Sequence, residues 1–326
     1  MKNITILALN GSVASTIAGP MDVFYLAGIL YNVICGMKPT PYFQVQIATL
    51  DGKPAKCLNR FMIQPHCSLQ DIESTDLIII SALAGDVLDT MNSDNEISSM
   101  LKDHYEAGSH IASVCTGAFV LASTGLLDGK MATTHWGFVD VFRHKYPLVD
   151  LRPECLVTDE TDLYCSGGSN SCLDLSLHLI EKMCSREVAV QCAKAMVHDI
   201  GRFTQAPYSA FHYPKRHADH DILSTQIWIE ENYSGNISIP MLAQRCAMSQ
   251  RTFERRFKNA TGDTPLAYLQ KVRTEAAKSM LEKENSTFEE VTFQVGYEDA
   301  SSFRKIFQRN TGLRPRQYQQ LFQKRN

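Results

Sequence analysis

One cysteine lies where a predicted strand meets a predicted helix, a position that suits a reactive side chain. Cys115 ends the apolar run Ile111–Cys115, and a helix is predicted over Ala118–Ser123. Such a turn pushes its side chain outward beside free backbone N–H groups, and the helix dipole predicts a lowered thiol pKa. His135 is a candidate base or hydrogen-bond partner. The alternative is an inert, buried thiol, since free cysteine is commonly buried.

The last hundred residues carry a second pattern, an internal repeat with a spacing of 50 residues. Six residues recur in register, namely Phe253/Phe303, Phe257/Phe307, Thr261/Thr311, Gly262/Gly312, Pro265/Pro315 and Tyr268/Tyr318. Each copy has a short apolar helix (Ile239–Cys246 or Phe288–Val295), a tight turn, and a helix with a good N-cap residue, Ser249 or Asp299. The second turn is one residue longer. This order predicts two helix-turn-helix units.

Helical spacing separates the two faces of each capped helix. Phe253 and Phe257 in the first copy, and Phe303, Ile306 and Phe307 in the second, should pack inward. The outer faces carry Arg251, Glu254, Arg255 and Lys258, and then Ser301, Arg304, Lys305 and Gln308. Arginine can bind a guanine edge with two hydrogen bonds, and lysine or serine can reach bases or phosphates. The alternative is an ordinary solvated surface.

Alternating apolar runs and amphipathic stretches precede this repeat. Strands are predicted over Ile4–Leu9, Phe43–Leu50, Leu77–Ser81 and Ile111–Cys115, and helices over Met21–Val33, Glu96–Glu106, Asp174–Met183 and Glu187–Ile200. Alternation of this kind predicts an α/β flavodoxin-like sandwich with a mostly parallel sheet, followed by an all-α double helix-turn-helix domain. Residues 202–220 have two prolines and no period, which predicts a linker between domains 1–201 and 221–326.

Composition excludes several classes of protein. The chain has 326 residues, 44% of them hydrophobic, so it can bury a core, and no apolar run is long enough for a membrane span. The ten cysteines are scattered without zinc-ligand spacing, and the start has no signal-peptide pattern, so we expect a cytoplasmic protein without metal or cofactor. Residues 217–326 hold 16 basic and 13 acidic residues, against 16 and 22 in the remainder, so only the tail is suited to a polyanion.

The tail resembles the AraC/XylS family DNA-binding domain in the segments SIPMLAQRCAMSQRTFERRF and VTFQVGYEDASSFRKIFQRNTGLRPRQY. The resemblance implies a long connecting helix, here Leu266–Glu282, and recognition helices that enter successive major-groove segments. It places base contacts at Arg251, Glu254 and Arg255 in the first unit, and at Ser301 and Lys305 in the second; Arg304 shares their exposed face. One departure is Thr292, where the family usually has a small alanine under the turn.

The first domain is similar to the ThiJ/PfpI superfamily over residues 3–195, in AGPMDVF, VCTGAFVLASTGLLDGKMATTHW and SGGSNSCLDLSLHLIE. With the tail, the whole chain resembles the GlxA-like group of transcriptional regulators. The resemblance puts Cys115 at the nucleophile position and His135 at the associated histidine. Two departures weaken catalysis, because Thr116 replaces a histidine and Thr16 replaces an acid. The expected ligand pocket comprises Thr16, Cys115, Thr116, His135, Trp136, Gly168 and Ser169.

These features predict a sequence-specific transcriptional regulator controlled by a small, nitrogenous metabolite. The expected partners are double-stranded promoter DNA, the effector, RNA polymerase and a second copy of the chain, with no membrane. Two alternatives remain, a cysteine-dependent amidohydrolase or hydratase using Cys115 and His135, and a redox sensor in which oxidation of Cys115 alters DNA affinity.

Overall fold

The computed structural model divides the chain into two compact units, Met1–Gln205 and Ala206–Asn326. It describes residues 1–84, 95–211, 213, 215, 217–283 and 286–323. The expected linker is shared between the units, since residues 202–205 belong to the first and the following residues to the second. Residues 212, 214 and 216 of that linker lie outside the described part.

The first unit is built on a sheet to which its described residues contribute seven strands. The strands are β1 (Lys2–Leu7), β2 (Phe43–Thr49), β5 (Cys67–Ser68), β6 (Leu77–Ile80), β7 (His110–Val114), β10 (Val157–Asp159) and β11 (Leu163–Ser166). Their order across the sheet is β10-β11-β7-β6-β1-β2-β5, and all neighbours are parallel except β10 and β11, which are antiparallel. Two small two-stranded ladders pair β3 (Ala55–Lys56) with β4 (Met62–Ile63), and β8 (Met131–Ala132) with β9 (Asp150–Leu151).

Helices cover both faces of this sheet, which confirms the predicted α/β sandwich. They are α1 (Ser15–Leu26), α2 (Leu30–Ile34), α3 (Asn95–Glu106), α4 (Gly117–Ser123), α5 (Val139–Lys145), α6 (Ser171–Met183) and α7 (Arg186–Ala195). Helices α1, α6 and α7 bury one face against residues such as Ile4 and Ile79, while α3 and α4 cover the other face with Ile78 and Ile80. Because β6 is buried on both faces, its sequence is apolar at every position.

Two predicted helices differ from the observed ones by five residues or more at one or both of their ends. The prediction of one helix over Met21–Val33 is wrong. Helix α1 begins at Ser15 and ends at Leu26, and a turn at Gly28 separates it from α2. Gly28 has a φ of 75°, and a Cβ there would meet the Thr40 carbonyl oxygen at 2.1 Å, so only glycine fits. The helix predicted to continue to Ile200 instead ends at Ala195, and Val197 has a φ of 54°.

In the described residues of the second unit, all regular secondary structure is helical. Its helices are α8 (His220–Asn232), α9 (Ile239–Arg245), α10 (Gln250–Thr261), α11 (Pro265–Leu281), α12 (Phe288–Gln294), α13 (Ala300–Thr311) and α14 (Pro315–Phe322). Phe253 and Phe257 lie in one hydrophobic core and Phe303 and Phe307 in another. The long helix α11 contributes to both cores, as expected for a connector between two helix-turn-helix units.

None of the helices in the described part of the chain is both long and apolar enough to cross a membrane.

Candidate functional site

Cys115 occupies a strained turn between β7 and α4. Its φ is 56°, a left-handed conformation that costs a non-glycine residue about 1–3 kcal/mol. The backbone is held from both sides, because the Cys115 N–H donates to the Ser166 carbonyl (2.8 Å) and its carbonyl accepts from the Thr134 hydroxyl (2.9 Å). At Gly117, a Cβ would lie 2.8 Å from two carbonyl oxygens of the β6 end. The fold therefore has the sharp elbow that the sequence predicts.

The environment of the thiol contradicts the predicted lowering of its pKa. Cys115 is only 5% exposed, and burial raises the pKa of the thiol. Hydrogen bonding lowers that pKa to a smaller extent, through the Ser169 hydroxyl (3.8 Å from Sγ) and the Thr116 residue. Desolvation of a thiolate outweighs the start of the short helix α4. The sulfur is therefore held as a neutral thiol, a weak nucleophile.

The hydroxyl groups of the two threonines in the expected pocket bind backbone atoms. Thr16 is fully buried, donates to the Val13 carbonyl (2.7 Å) and accepts from the Ala82 N–H (3.0 Å). Thr116 is also buried, and its hydroxyl accepts from the Leu83 N–H (2.8 Å) and donates to the Leu83 carbonyl. These side chains fix the loops after β1 and β6, and Thr16 supplies no acid to the thiol.

His135 lies beside the turn that follows β11. A Cβ on Gly168 would lie 3.9 Å from the His135 ring, and the adjacent Ser169 contacts the thiol, so Cys115, His135, Gly168 and Ser169 share one region. His135 Nδ1 accepts a hydrogen bond from the Gly137 N–H (3.1 Å). A backbone N–H can only donate, so the neutral ring carries its proton on Nε2, and Nδ1 is not available to deprotonate the thiol.

Trp136 forms an aromatic wall beside the histidine. The ring centroids of His135 and Trp136 are 5.1 Å apart at 29°, and Phe138 meets the histidine edge at 5.8 Å. Both His135 and Trp136 are partly exposed. An aromatic face of this kind suits a cationic or apolar ligand.

A separate cleft of about 400 Å³ lies between β10, α6, α7 and residues 200–203. Its charged lining residues are Asp159, Asp174, His178, Glu181, Arg186 and Arg202. They form internal pairs, such as Asp159 with His178 (2.7 Å) and Glu181 with Arg186 (3.1 Å). None of the seven residues of the expected pocket lines this cleft. Sequence reasoning missed it, since its residues come from four segments that carry no common motif.

The two capped helices of the second unit present the predicted faces. Ser249 caps α10 by accepting from the Thr252 N–H, and Asp299 caps α13 by accepting from the Ser301 and Ser302 N–H groups. The four phenylalanines of the repeat are fully buried. The opposite faces expose Arg251, Arg255, Lys258, Ser301, Arg304, Lys305 and Gln308, whereas Glu254 is partly buried.

The charged residues on these faces differ in how they are held. Within the described part of the chain, Arg251 and Arg255 form no ion pair, so both remain available to a ligand. Glu254 accepts a hydrogen bond from Gln250 (2.7 Å). Arg304 lies 3.5 Å from Glu289 and over the Phe288 ring, which partly neutralises its charge.

Thr292 fits under the second turn without disrupting it. The residue is fully buried, and its hydroxyl donates to the Phe288 carbonyl one helical turn earlier (2.7 Å). Because the polar group has a partner, threonine replaces alanine at this position without an unsatisfied hydroxyl. The second turn is one residue longer than the first, as predicted.

Comparisons with known proteins match both units. The model of the DJ-1/PfpI family matches residues 3–182, more than half of the chain, and a helix-turn-helix domain model matches residues 242–321. The HTH-type transcriptional regulator CdhR of Pseudomonas aeruginosa is 24% identical over 278 residues, covering 84% of this chain and 81% of that protein. Isonitrile hydratase of Pseudomonas putida is 26% identical over 160 residues, which cover 49% of this chain and 66% of that protein. The crystal structure of an AraC family transcriptional regulator from Pseudomonas putida shares the fold, with a TM-score of 0.52 and 17% sequence identity. The match covers 60% of this chain and 100% of that one.

Proposed function

The chain belongs to the DJ-1/PfpI family, and we propose that it is a sequence-specific transcriptional regulator whose helix-turn-helix domain binds promoter DNA under the control of a small metabolite. The observation that carries this function is the duplicated, capped helix with an exposed polar face, α10 and α13, joined through α11. Buried phenylalanines hold the inner side of each helix and leave the outer side open. A helix of this kind fits the major groove of B-form DNA.

Arg251 and Arg255 are the residues that we expect to contribute most to base recognition. Both are exposed on α10, and their guanidinium groups are not bound to acids in the described structure. A bidentate arginine–guanine contact contributes about 1–3 kcal/mol of discrimination, which corresponds to about 5- to 150-fold in affinity. Glu254, held by Gln250, suits a cytosine amino group.

The test is a selection of bound duplexes from a random library, followed by anisotropy titration of the winning sequence. We expect Arg251→Ala and Arg255→Ala to weaken binding to the selected duplex by about 5- to 150-fold and to relax its sequence preference. Lys53→Ala is the matched control, because it removes an exposed cation of the first unit that pairs with the neighbouring Asp51. Equal affinity of the wild type for selected and random duplexes would refute the function.

We place the effector in the pocket around Cys115, between the Ser169 hydroxyl and the stacked rings of His135 and Trp136. An aromatic wall beside buried polar groups suits a small nitrogenous metabolite. A thermal-shift screen of the full chain against amino acids and quaternary amines is the test, since a bound ligand raises stability by about 2.7 kcal/mol at one hundred times its Kd.

Two blocking variants locate the binding site. Ser169→Trp fills the Cys115 pocket and should abolish the thermal shift, whereas Val190→Trp narrows the separate cleft and should leave it intact. Loss of the thermal shift in Val190→Trp but not in Ser169→Trp would assign the effector to the cleft between α6 and α7 instead. Loss of the shift in both variants, with wild-type folding, would show that neither cavity alone holds the ligand and would refute this placement.

A cysteine-dependent hydratase or amidohydrolase is the second candidate, favoured by the strained elbow and by the partial similarity to isonitrile hydratase. The buried neutral thiol, the occupied Nδ1 of His135 and the absence of an acid at Thr16 all oppose it. We propose that Cys115 is a pocket residue without turnover. Hydration of an isocyanide that disappears in Cys115→Ala would reverse this assignment, and a peroxide-dependent change in DNA affinity would establish the redox alternative.

We also propose that two copies of the chain act together and that the bound regulator contacts RNA polymerase. Linking two DNA-binding domains raises affinity through effective concentration. Sedimentation equilibrium of the full chain tests the first point. Transcription from a selected promoter with purified polymerase tests the second, because it shows whether the regulator changes the initiation rate.

A further inference from the structure

Residues 205–211, which we call the strap, leave the first unit and enter the second. Gln205 is the last residue of the first unit, and Ala206–Tyr208 form a short 3-10 turn in the second. Each end of the strap is anchored by contacts within its own unit. The strap is therefore a covalent connection with one end fixed in the first unit and the other end fixed in the second.

The upstream end is fixed close to the Cys115 pocket. Gln205 is only 2% exposed, and its amide nitrogen donates to the Thr134 carbonyl (2.8 Å) and the Thr133 hydroxyl (3.1 Å). The Thr134 hydroxyl in turn donates to the Cys115 carbonyl (2.9 Å). The Gln205 amide also lies against the Gly167 backbone, next to Gly168 and Ser169. A shift of the segments that line the pocket therefore displaces Gln205.

The middle of the strap is held by a buried lysine of the connector helix. Lys278 is 6% exposed, and its ammonium donates to the Ser209 carbonyl and to the Glu275 carboxylate (2.9 Å). Burying a charge is costly unless it is paired and hydrogen-bonded. The Ser209 carbonyl is one of these partners. The Lys278 ammonium therefore keeps this hydrogen bond only while the strap stays in place.

The flanks of Ser209 reach both helix-turn-helix units. The Tyr208 ring meets the Phe322 ring edge to face (5.4 Å), and Phe322 packs on Tyr318 of the second core. The Phe211 ring meets the Tyr268 ring (5.3 Å) in the first core. The strap thus touches the cores behind α10 and behind α13.

We propose that Gln205 and Lys278 are the positioning residues through which the state of the Cys115 pocket reaches the two DNA-binding units. Displacement of Gln205 pulls on Ser209, loosens its contact with Lys278, and changes how the two recognition helices meet DNA. This inference rests on the proposed function, because it requires a DNA-binding protein.

The test is a double-mutant cycle on DNA affinity, measured with the full chain and the duplex from the selection. Gln205→Leu removes the amide contacts beside the pocket, and Lys278→Met removes the ammonium on the connector. Residues in separate, uncoupled regions give additive effects. We expect Gln205→Leu to change the Kd by about 2- to 30-fold in the wild-type background and by less than about twofold in Lys278→Met. Lys283→Met, an exposed lysine just beyond α11, is the matched control and should preserve the effect of Gln205→Leu.

The outcomes separate the two proposals. No binding of selected DNA by the wild type refutes the proposed function itself. Specific binding by the wild type with additive effects of the two substitutions, or with no effect of Gln205→Leu, refutes the strap. Should Lys278→Met fail to fold by circular dichroism, Tyr208→Ala replaces it, since Tyr208 is 41% exposed and its loss removes the edge contact of the strap to Phe322.

Discussion

Gly167→Ala is the substitution for which the structure predicts an effect out of proportion to its size. A Cβ at Gly167 would lie 2.5 Å from Cδ and Oε1 of Gln205. Ordinary contact between such atoms requires a separation near 3.5 Å, so the Gln205 amide must move by about 1 Å. A flexible side chain can usually move aside, but Gln205 is buried and held by three acceptors, on Thr133, Thr134 and Cys155.

The cost follows from those hydrogen bonds. Their lengths are 2.8, 3.1 and 3.3 Å, and a displacement of about 1 Å takes each beyond hydrogen-bonding distance. A buried polar group left without a partner costs about 1–3 kcal/mol. We therefore expect the first unit to lose about 1–3 kcal/mol of stability, which for a unit of this size lowers its Tm by about 2–12 °C.

Differential scanning calorimetry of the full chain measures this loss, with the transition of the second unit as an internal reference. The partner variant is Gln205→Ala, which removes the atoms that the new methyl group meets. In that background Gly167→Ala should cost less than about 1 kcal/mol, because substitutions that share a contact are not additive. Additive costs, or an unchanged first transition in Gly167→Ala alone, would refute the reasoning.

Two further predictions concern pH and helix capping. Burial raises the pKa of Cys172 to about 12 and that of Cys192 to about 11, so the folded first unit binds more protons than the unfolded chain above the ordinary thiol pKa. Its stability should therefore fall as the pH rises from about 9 towards 12, and a urea midpoint that stays constant over that range would contradict this. Asp299→Ala removes two capping bonds from α13 and should cost the second unit about 1 kcal/mol and weaken DNA binding. Ser185→Ala, which uncaps α7, should instead affect only the first unit.

Much of the fold could be predicted because its signals are local. The strand with four consecutive buried residues at Leu77–Ile80, the elbow at Cys115 and the caps at Ser249 and Asp299 all depend on short-range patterns. One boundary error arose where a contact outside the helix ends it. Gly28 packs against the Thr40 carbonyl, and the residues around position 28 form no pattern that predicts this contact.

The candidate sites divide in the same way. The exposed face of α10 follows from helical spacing, since Phe253 and Phe257 must point inward and Arg251 and Arg255 then point outward. The chemistry of Cys115 does not follow from its neighbours in the chain. Its thiol is neutral because burial in the folded unit desolvates it and raises its pKa. This effect exceeds the smaller opposing effect of the hydrogen bond from the Ser169 hydroxyl, 54 positions away.

The amino-acid sequence by itself determined the two domains, the repeat and the identity of the residues at the elbow, because backbone preference and hydrophobic period act over a few residues. Only the tertiary structure decided the protonation of the thiol, the wedge of Gln205 against Gly167, and the burial of Lys278 beneath the strap. Each of these depends on desolvation and on hydrogen bonds between segments far apart in the chain, and such free energies exist only once the segments have packed.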